Sequence, residues 1–297
     1  MALLLPRSAA QFKVDVRLVR LFITVKDASG RLIGSLDKND FNVFDNGVRQ
    51  DVAVFERRTD QPLNVALLVD TSASTGIELK YEIDSVSRFL RAIFREGNSE
   101  DSVALYSFNW QVTLHSSYTR RIPRLEAALK QLKCEGGTSL YDAIYLASQE
   151  LEDRDGRHII VVVTDGGDTT SSKKYQDALR SAQQADALIY PVIVIPIQNN
   201  AGRNTGGENA LITLASGTGG RTFMPAPGSE LDAAFSDILR ELRTQYLVGF
   251  YPRNVPLTKN RFHSVKLTLS HPDLRSLTRN GYYGEFEDDS TVRGPSR

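Results

Sequence analysis

Residues 67–75 read LLVDTSAST: an apolar strand runs straight into an acid and then into two hydroxyls one residue apart. If this strand simply ended in a core, Val or Leu would pack better than Asp70, Ser72 or Ser74 at its exit. The stretch gives up local packing for polar chemistry at a strand end.

Outward from it, apolar strands alternate with segments of helical period. VALLVD is followed by a helix carrying Ile83, Val86, Leu90 and Ile93, and SVALYSF and QVTLHS then form a strand pair. Helices are expected around 125–132 and 141–151. They are followed by the strand HIIVVVTD, a helix over 175–185, the strand LIYPVIVIPI, a short helix at 210–215, the strand RTFMPA and a last helix at 231–242. Nearly continuous apolar strands such as HIIVVV suit a sheet covered on both faces, so this middle part reads as an α/β, doubly wound, mostly parallel domain.

Before and after it the texture is β. Val14, Val16 and Leu18 alternate in one phase and Val19, Leu21, Ile23 and Val25 in the other, which suggests a bulge or a break. The DNG at Asp45 to Gly47 marks a hairpin between FNVF and VRQDVAVF. Beyond Gln245, QYLVGFYP, RFHSVKLTLS and RSLTRNGYYG read as further strands. Each flank is too small to be an easy domain by itself, so the two are expected to pair. The expected division is a β-sandwich from 12–62 and 245–285, an inserted α/β domain at 63–244, and a flexible tail at 286–297.

Composition bounds the partners. The 297 residues carry 36 Lys plus Arg and 36 Asp plus Glu, so no net field draws nucleic acid or an anionic membrane. Cys134 is the one cysteine, which excludes an internal disulfide and a cysteine-based zinc cluster. No apolar run nears the roughly 20 residues that span a bilayer. The start, MALLLPRSAAQF, has the apolar patch and small residues of a secretory signal's tail but lacks the basic and full apolar regions of a whole one.

In a doubly wound sheet, ligands sit beyond the carboxyl ends of the strands. Asp70 lies at one such end and Asp165, in VVVTDGGD, at another; GGTSLYD brings Thr138 in a loop made pliable by Gly136 and Gly137. Asp70, Ser72, Ser74, Thr138 and Asp165 are all hard oxygen donors, which suits Mg²⁺ or another hard divalent ion completed by water. Two carboxylates roughly balance such an ion without saturating it, and a partner's Asp or Glu is the natural further donor. Singly, the same residues have plainer readings: Ser74 and Thr138 as helix N-caps, Asp165 as a turn acid.

DTSAS at Asp70 to Ser74, Thr138, and Asp165 in TDG resemble the metal-ion-dependent adhesion site of von Willebrand factor type A domains over about 64–245. The flanks look like the acidobacterial-type VWFA-related family of exported bacterial proteins. The resemblance implies a three-layer fold inserted in an immunoglobulin-like sandwich, a complete metal site holding Mg²⁺ (or Mn²⁺ or Ca²⁺), and non-enzymatic adhesion to a protein ligand whose carboxylate completes the coordination. It also implies that Ser72, Ser74 and Thr138 approach the metal most directly, and that the last helix links the site mechanically to the β part. Export to the periplasm, cell surface or medium follows from the same resemblance.

The alternatives are an envelope or assembly module whose ion only braces loops, and an enzyme. A hydrolase elbow lacks Gly-x-Ser-x-Gly and a well-placed histidine. An aspartyl phosphotransferase would need a second acid two residues after Asp70, where Ser72 stands. Trp110 has two readings, turn packing or an apolar contact beside the metal edge, and the 198–209 loop reads as flexible or as part of recognition.

Overall fold

The computed structural model describes residues 18–57, 60–76, 79–195, 204–256, 258 and 261–284. The expected strand start at 12–17, the 198–203 part of the polar loop and the tail at 286–297 lie outside these residues.

Five strands form the central sheet: β5 (Leu63–Asp70), β6 (Ser102–Phe108), β7 (Val112–Thr119), β8 (Arg157–Thr164) and β9 (Leu188–Ile193). Their order is β7-β6-β5-β8-β9, parallel throughout except for β7 against β6. Every residue of β5 and β8 is buried, as strands covered on both faces must be. The period of two then sorts the side chains. Leu63, Val65, Leu67 and Val69 meet the helices α1 (Leu79–Glu96), α2 (Ile122–Leu129) and α6 (Ser229–Thr244). Ala66 and Leu68 meet α3 (Leu140–Glu152), α4 (Tyr175–Gln184) and α5 (Thr205–Thr218). From β5 the chain moves first to β6 on one side and later to β8 on the other, so the switch point lies at the carboxyl end of β5, where Asp70 stands.

The flanking segments pair as expected. Strands β1 (Val19–Lys26), β2 (Phe41–Asp45), β3 (Val48–Gln50) and β4 (Val52–Glu56) precede the α/β unit, and β10 (Tyr246–Phe250), β11 (Phe262–Leu269), β12 (Arg275–Leu277) and β13 (Gly281–Tyr283) follow it. One antiparallel sheet has the order β12-β1-β10-β4, the other β13-β11-β2-β3. Their shared core, including Leu21, Ile23, Phe41, Val43, Tyr246 and Val248, gives an Ig-like sandwich. Glu56, where the chain leaves β4, lies opposite Leu247 of β10, so the inserted unit enters and exits side by side. Gln245 fastens this seam: its side chain donates to Thr24 Oγ1 at 3.0 Å and accepts from Arg157 at the foot of β8.

Four local expectations change. VRQDVAVF is not one strand but two in different sheets, because the buried Gln50 side chain bonds the Arg253 backbone and the chain turns a corner at Asp51. RTFMPA gives only a bridge between Val192 and Phe223, since Pro225 has no N–H to extend the ladder. RSLTRNGYYG holds two short strands. The polar loop ends earlier than expected: α5 starts at Thr205, capped by the Asn204 side chain accepting from Gly207 N–H at 2.9 Å. The DNG hairpin is as read, with Asn46 and Gly47 at φ 46° and 83°.

Candidate functional site

Asp70 and the residue before Asp165 reach the same edge because β5 and β8 are parallel neighbours with Val69 opposite Val163. Asp70 is fully buried. Its Oδ1 accepts the Ser72 backbone N–H at 2.8 Å, closing a turn typical of aspartate. Its Oδ2 accepts the Thr164 hydroxyl at 2.6 Å. The Ser72 and Ser74 hydroxyls lie 3.1 Å apart, and Ser74 also hydrogen-bonds the Asp165 carboxylate.

Burial pushes the Asp70 carboxyl up to about 6; the hydrogen bonds from Thr164 and Ser72 oppose this, and the neighbouring Asp165 charge adds to it. Burial raises Asp165 as well, against its bond from Ser74. Among the described residues no basic side chain offsets either shift. The cluster is therefore a pocket of negative charge held by hydroxyl and amide donors, and its donors are all oxygen. That chemistry fits a hard divalent cation, with Asp70, Asp165, Ser72 and Ser74 as the residues able to hold it.

Thr138 arrives on a third segment. Glu135 N–H donates to Thr71 O at 2.9 Å and Ala73 N–H to Gly136 O at 3.1 Å, which strap this loop along the turn after β5. Thr138 itself is held by the segment after β8: its N–H donates to Thr169 Oγ1 at 2.8 Å, and its carbonyl accepts the N–H groups of Thr169 and Thr170. Among the described residues no hydrogen bond joins Thr138 to Asp70, Ser72, Ser74 or Asp165.

The complete metal-ion-dependent adhesion site expected from the sequence is thus corrected. Among the described residues no group of three or more His, Cys, Asp or Glu side chains could hold a metal ion. Two carboxylates and two linked hydroxyls come together, and Asp168 is used elsewhere. Asp168 Oδ1 accepts Tyr141 N–H at 3.3 Å and the Ser171 hydroxyl, fixing the start of α3. The cap readings are not met either. Ser139, not Thr138, precedes α3, and Ser74 lies in a short 3-10 turn at Ala73–Gly76.

Sequence reasoning missed Thr164. Its signal was the hydroxyl directly before Asp165 in VVVTD, on a strand otherwise apolar from Ile159. Trp110 is 55% exposed, in the turn between β6 and β7, and packs against the Thr138 loop: a Cβ on Gly136, whose φ is +72°, would lie 2.3 Å from the indole Cδ1. From its turn it thus lies against the loop that carries Thr138. On the far side, Gly167 meets Gly207 at the start of α5 so closely that a Cβ on either would collide with the other's backbone. Cys134 Sγ lies 3.5 Å from Thr75 Oγ1, and burial pushes its thiol up, away from reactivity.

The histidines are engaged away from these hydroxyls. His115 pairs with Ser107, His158 with the Ala185 and Arg154 carbonyls, His263 with Asp45, and His271 with Asp40. No helix among the described residues is long and apolar enough to cross a membrane.

Residues 65–167, about a third of the chain, match the von Willebrand factor type A domain family. No curated protein matches the chain. Among solved structures, the chain is similar to the vWF domain of the type V pili tip protein Mfa5 from Porphyromonas gingivalis, with 16% identity over 61% of this chain and 95% of that one, at a TM-score of 0.50. It is also similar to the conserved hypothetical protein BatB from Bacteroides thetaiotaomicron, with 16% identity over 61% of this chain and all (100%) of that one, at 0.49. For the PilB minor pilin from Streptococcus sanguinis the figures are 14%, 63% and 62%, at 0.47. The family match is to the broad type A domain family and covers the middle of the chain alone. The central part of this chain has the von Willebrand factor type A fold, set on an Ig-like sandwich.

Proposed function

We propose that this chain is a non-catalytic, exported protein-interaction module that receives its partner on the carboxyl edge of the five-stranded sheet. The observation that carries this reading is the Asp70–Asp165 pair: one acid wholly buried, a second beside it, and no basic residue among the described ones to offset them. Such charge is costly to keep without a counterion. A divalent cation from solution, Mg²⁺ or in its place Mn²⁺ or Ca²⁺, would offset it. The chain supplies only part of a coordination shell, which leaves positions for water and for an Asp or Glu side chain of the partner. The exposed Trp110 at the rim offers that partner an apolar contact. The absence of any histidine at the Ser72 and Ser74 hydroxyls, among the described residues, fits binding rather than acyl transfer. Export agrees with the similarity in fold to a pilus tip protein.

The test is a calorimetric titration of Mg²⁺ into chelator-treated protein, wild type beside Asp70→Asn, repeated with an acetylated aspartyl peptide present. Saturable binding that is lost in the variant and tightened by the peptide is expected. Binding indifferent to the peptide would mean an ion that only braces the loops, and no binding at all would remove the cation from the mechanism.

A further inference from the structure

The five-stranded sheet has an open edge at β7, which among the described residues pairs only with β6. Asn109 N–H donates to Gln111 O at 3.0 Å in the turn between the two strands, and Thr71 N–H donates to Phe108 O at 2.8 Å from the other side. Successive residues of a strand turn their backbone groups to opposite sides. Gln111 and Thr113 therefore face β6, while the N–H and C=O groups of Val112 and Leu114 face outward. The ladder keeps its register over Val112, Thr113 and Leu114 and slips beyond them, so the usable edge is these few residues.

Their side chains sort by face. Val112 and Leu114 turn toward α3, where with Leu146 they line a trough of about 560 Å³; Leu114 and Leu146 are 46% and 44% exposed. Thr113 turns to the opposite face of the sheet. The trough is also lined by Glu150, Asp153 and Arg154, so its charges favour neither an acidic nor a basic partner.

The strand itself, VTLHSSYT, has no charged residue or proline, the usual guards of an exposed edge. A neutral edge can meet an identical one without repulsion. The next charges along the chain, Arg120 and Arg121, lie beyond the end of β7. Antiparallel pairing of two copies sends these arginines in opposite directions, whereas parallel pairing would set them side by side.

We infer that β7 is a self-association edge, through which two copies of this chain pair antiparallel about a two-fold axis at Thr113. In that register Val112 of each copy lies opposite Leu114 of the other. Both residues already turn their backbone groups outward, so each of the two pairs exchanges two hydrogen bonds. On the α3 face the four aliphatic side chains close together beside the two Leu146; on the other face the two Thr113 side chains meet. A slip of one residue would set Leu114 against Thr113, whose side chain is on the opposite face, and is excluded. The contact uses none of Asp70, Ser72, Ser74 and Asp165 and needs no cation.

Sedimentation velocity in EDTA over a range of protein concentrations tests it. A dimer that dissociates on dilution is expected for the wild type. L114K and L114E should each be monomeric and melt as the wild type does, since the side chain they replace is half exposed. An equimolar mixture of the two should dimerise again, because the two side chains at position 114 are diagonal neighbours on one face. With Cys134 replaced by serine, T113C at the axis should form an intermolecular disulfide on oxidation and S117C, farther from it, should not. A wild type that stays monomeric as concentration rises would overturn the proposal and leave this edge to a strand of another protein. A dimer that persists in both Leu114 variants, or one cross-linked by S117C and not by T113C, would overturn it equally.

Discussion

The Thr164 hydroxyl donates to Asp70 Oδ2 at 2.6 Å and thereby ties the exit of β8 to the exit of β5. This bond is what holds a buried carboxylate in place at the switch point of the sheet. Replacing Thr164 by Val, which keeps the shape, should destabilise the protein by roughly 1.5–3 kcal/mol, the range for a hydrogen bond to a charged group. Thr164→Ser should be close to neutral. Urea unfolding of both variants in EDTA checks this, and equal stability of Val and Ser would show that the bond contributes nothing.

The same carboxylate is a liability without a counterion. Burial lifts Asp70 from 3.8 to about 6, so its ionised form at neutral pH costs the fold on the order of 2–3 kcal/mol. Asp70→Asn can keep both hydrogen bonds, accepting from Ser72 and donating to Thr164. The variant is expected to melt higher than wild type in EDTA and to lose any gain in melting temperature that Mg²⁺ gives the wild type. A lower melting temperature would mean that the charge is compensated within the chain.

Trp110 and Gly136 should behave as a coupled pair. Ala at position 136 would meet both a φ of +72° and the indole Cδ1, at a cost of about 2 kcal/mol or more. In a Trp110→Ala background the collision disappears and only the backbone strain remains. A double-mutant cycle should therefore show a smaller penalty for Gly136→Ala when Trp110 is absent; strict additivity would argue against the contact.

His115 gives the protein an acid-sensitive limb. Its Nε2 lies 2.8 Å from Ser107 Oγ in the β6–β7 pair, and burial lowers its pKa below the ordinary 6.5. The unfolded chain thus takes up a proton near pH 6.5 that the folded one refuses, so stability is retained above that pH and falls as pH drops below it. The stability difference between wild type and His115→Gln, followed by urea unfolding from pH 7.5 to 5, should shift in favour of the variant as pH falls.

As the sole tryptophan, Trp110 also reports on the site. Mg²⁺ added to chelator-treated protein should change its emission, with the change lost in Asp70→Asn. A variant that binds Mg²⁺ by calorimetry while the emission stays constant would place the ion away from this rim.

The sequence by itself determined the layers and their ends. A run such as VALLV, apolar at every position and short, suits a strand covered on both sides, and each of its residues is buried. Asn46-Gly47 can only be a tight hairpin turn, and an acid or hydroxyl directly after such a strand must emerge at the sheet's carboxyl edge. These are local matters of period and backbone conformation. Tertiary structure decided which of the polar residues meet. Ser72, Ser74 and Asp165 gather around Asp70, Thr164 steps in from the neighbouring strand, and the Thr138 backbone is bonded to Thr169 and Thr170. It also decided that β3 and β4 part company at Asp51, and that Trp110 rests on Gly136. Each of these outcomes depends on pairing between segments far apart in the chain, where a shift of one residue turns a side chain to the opposite face.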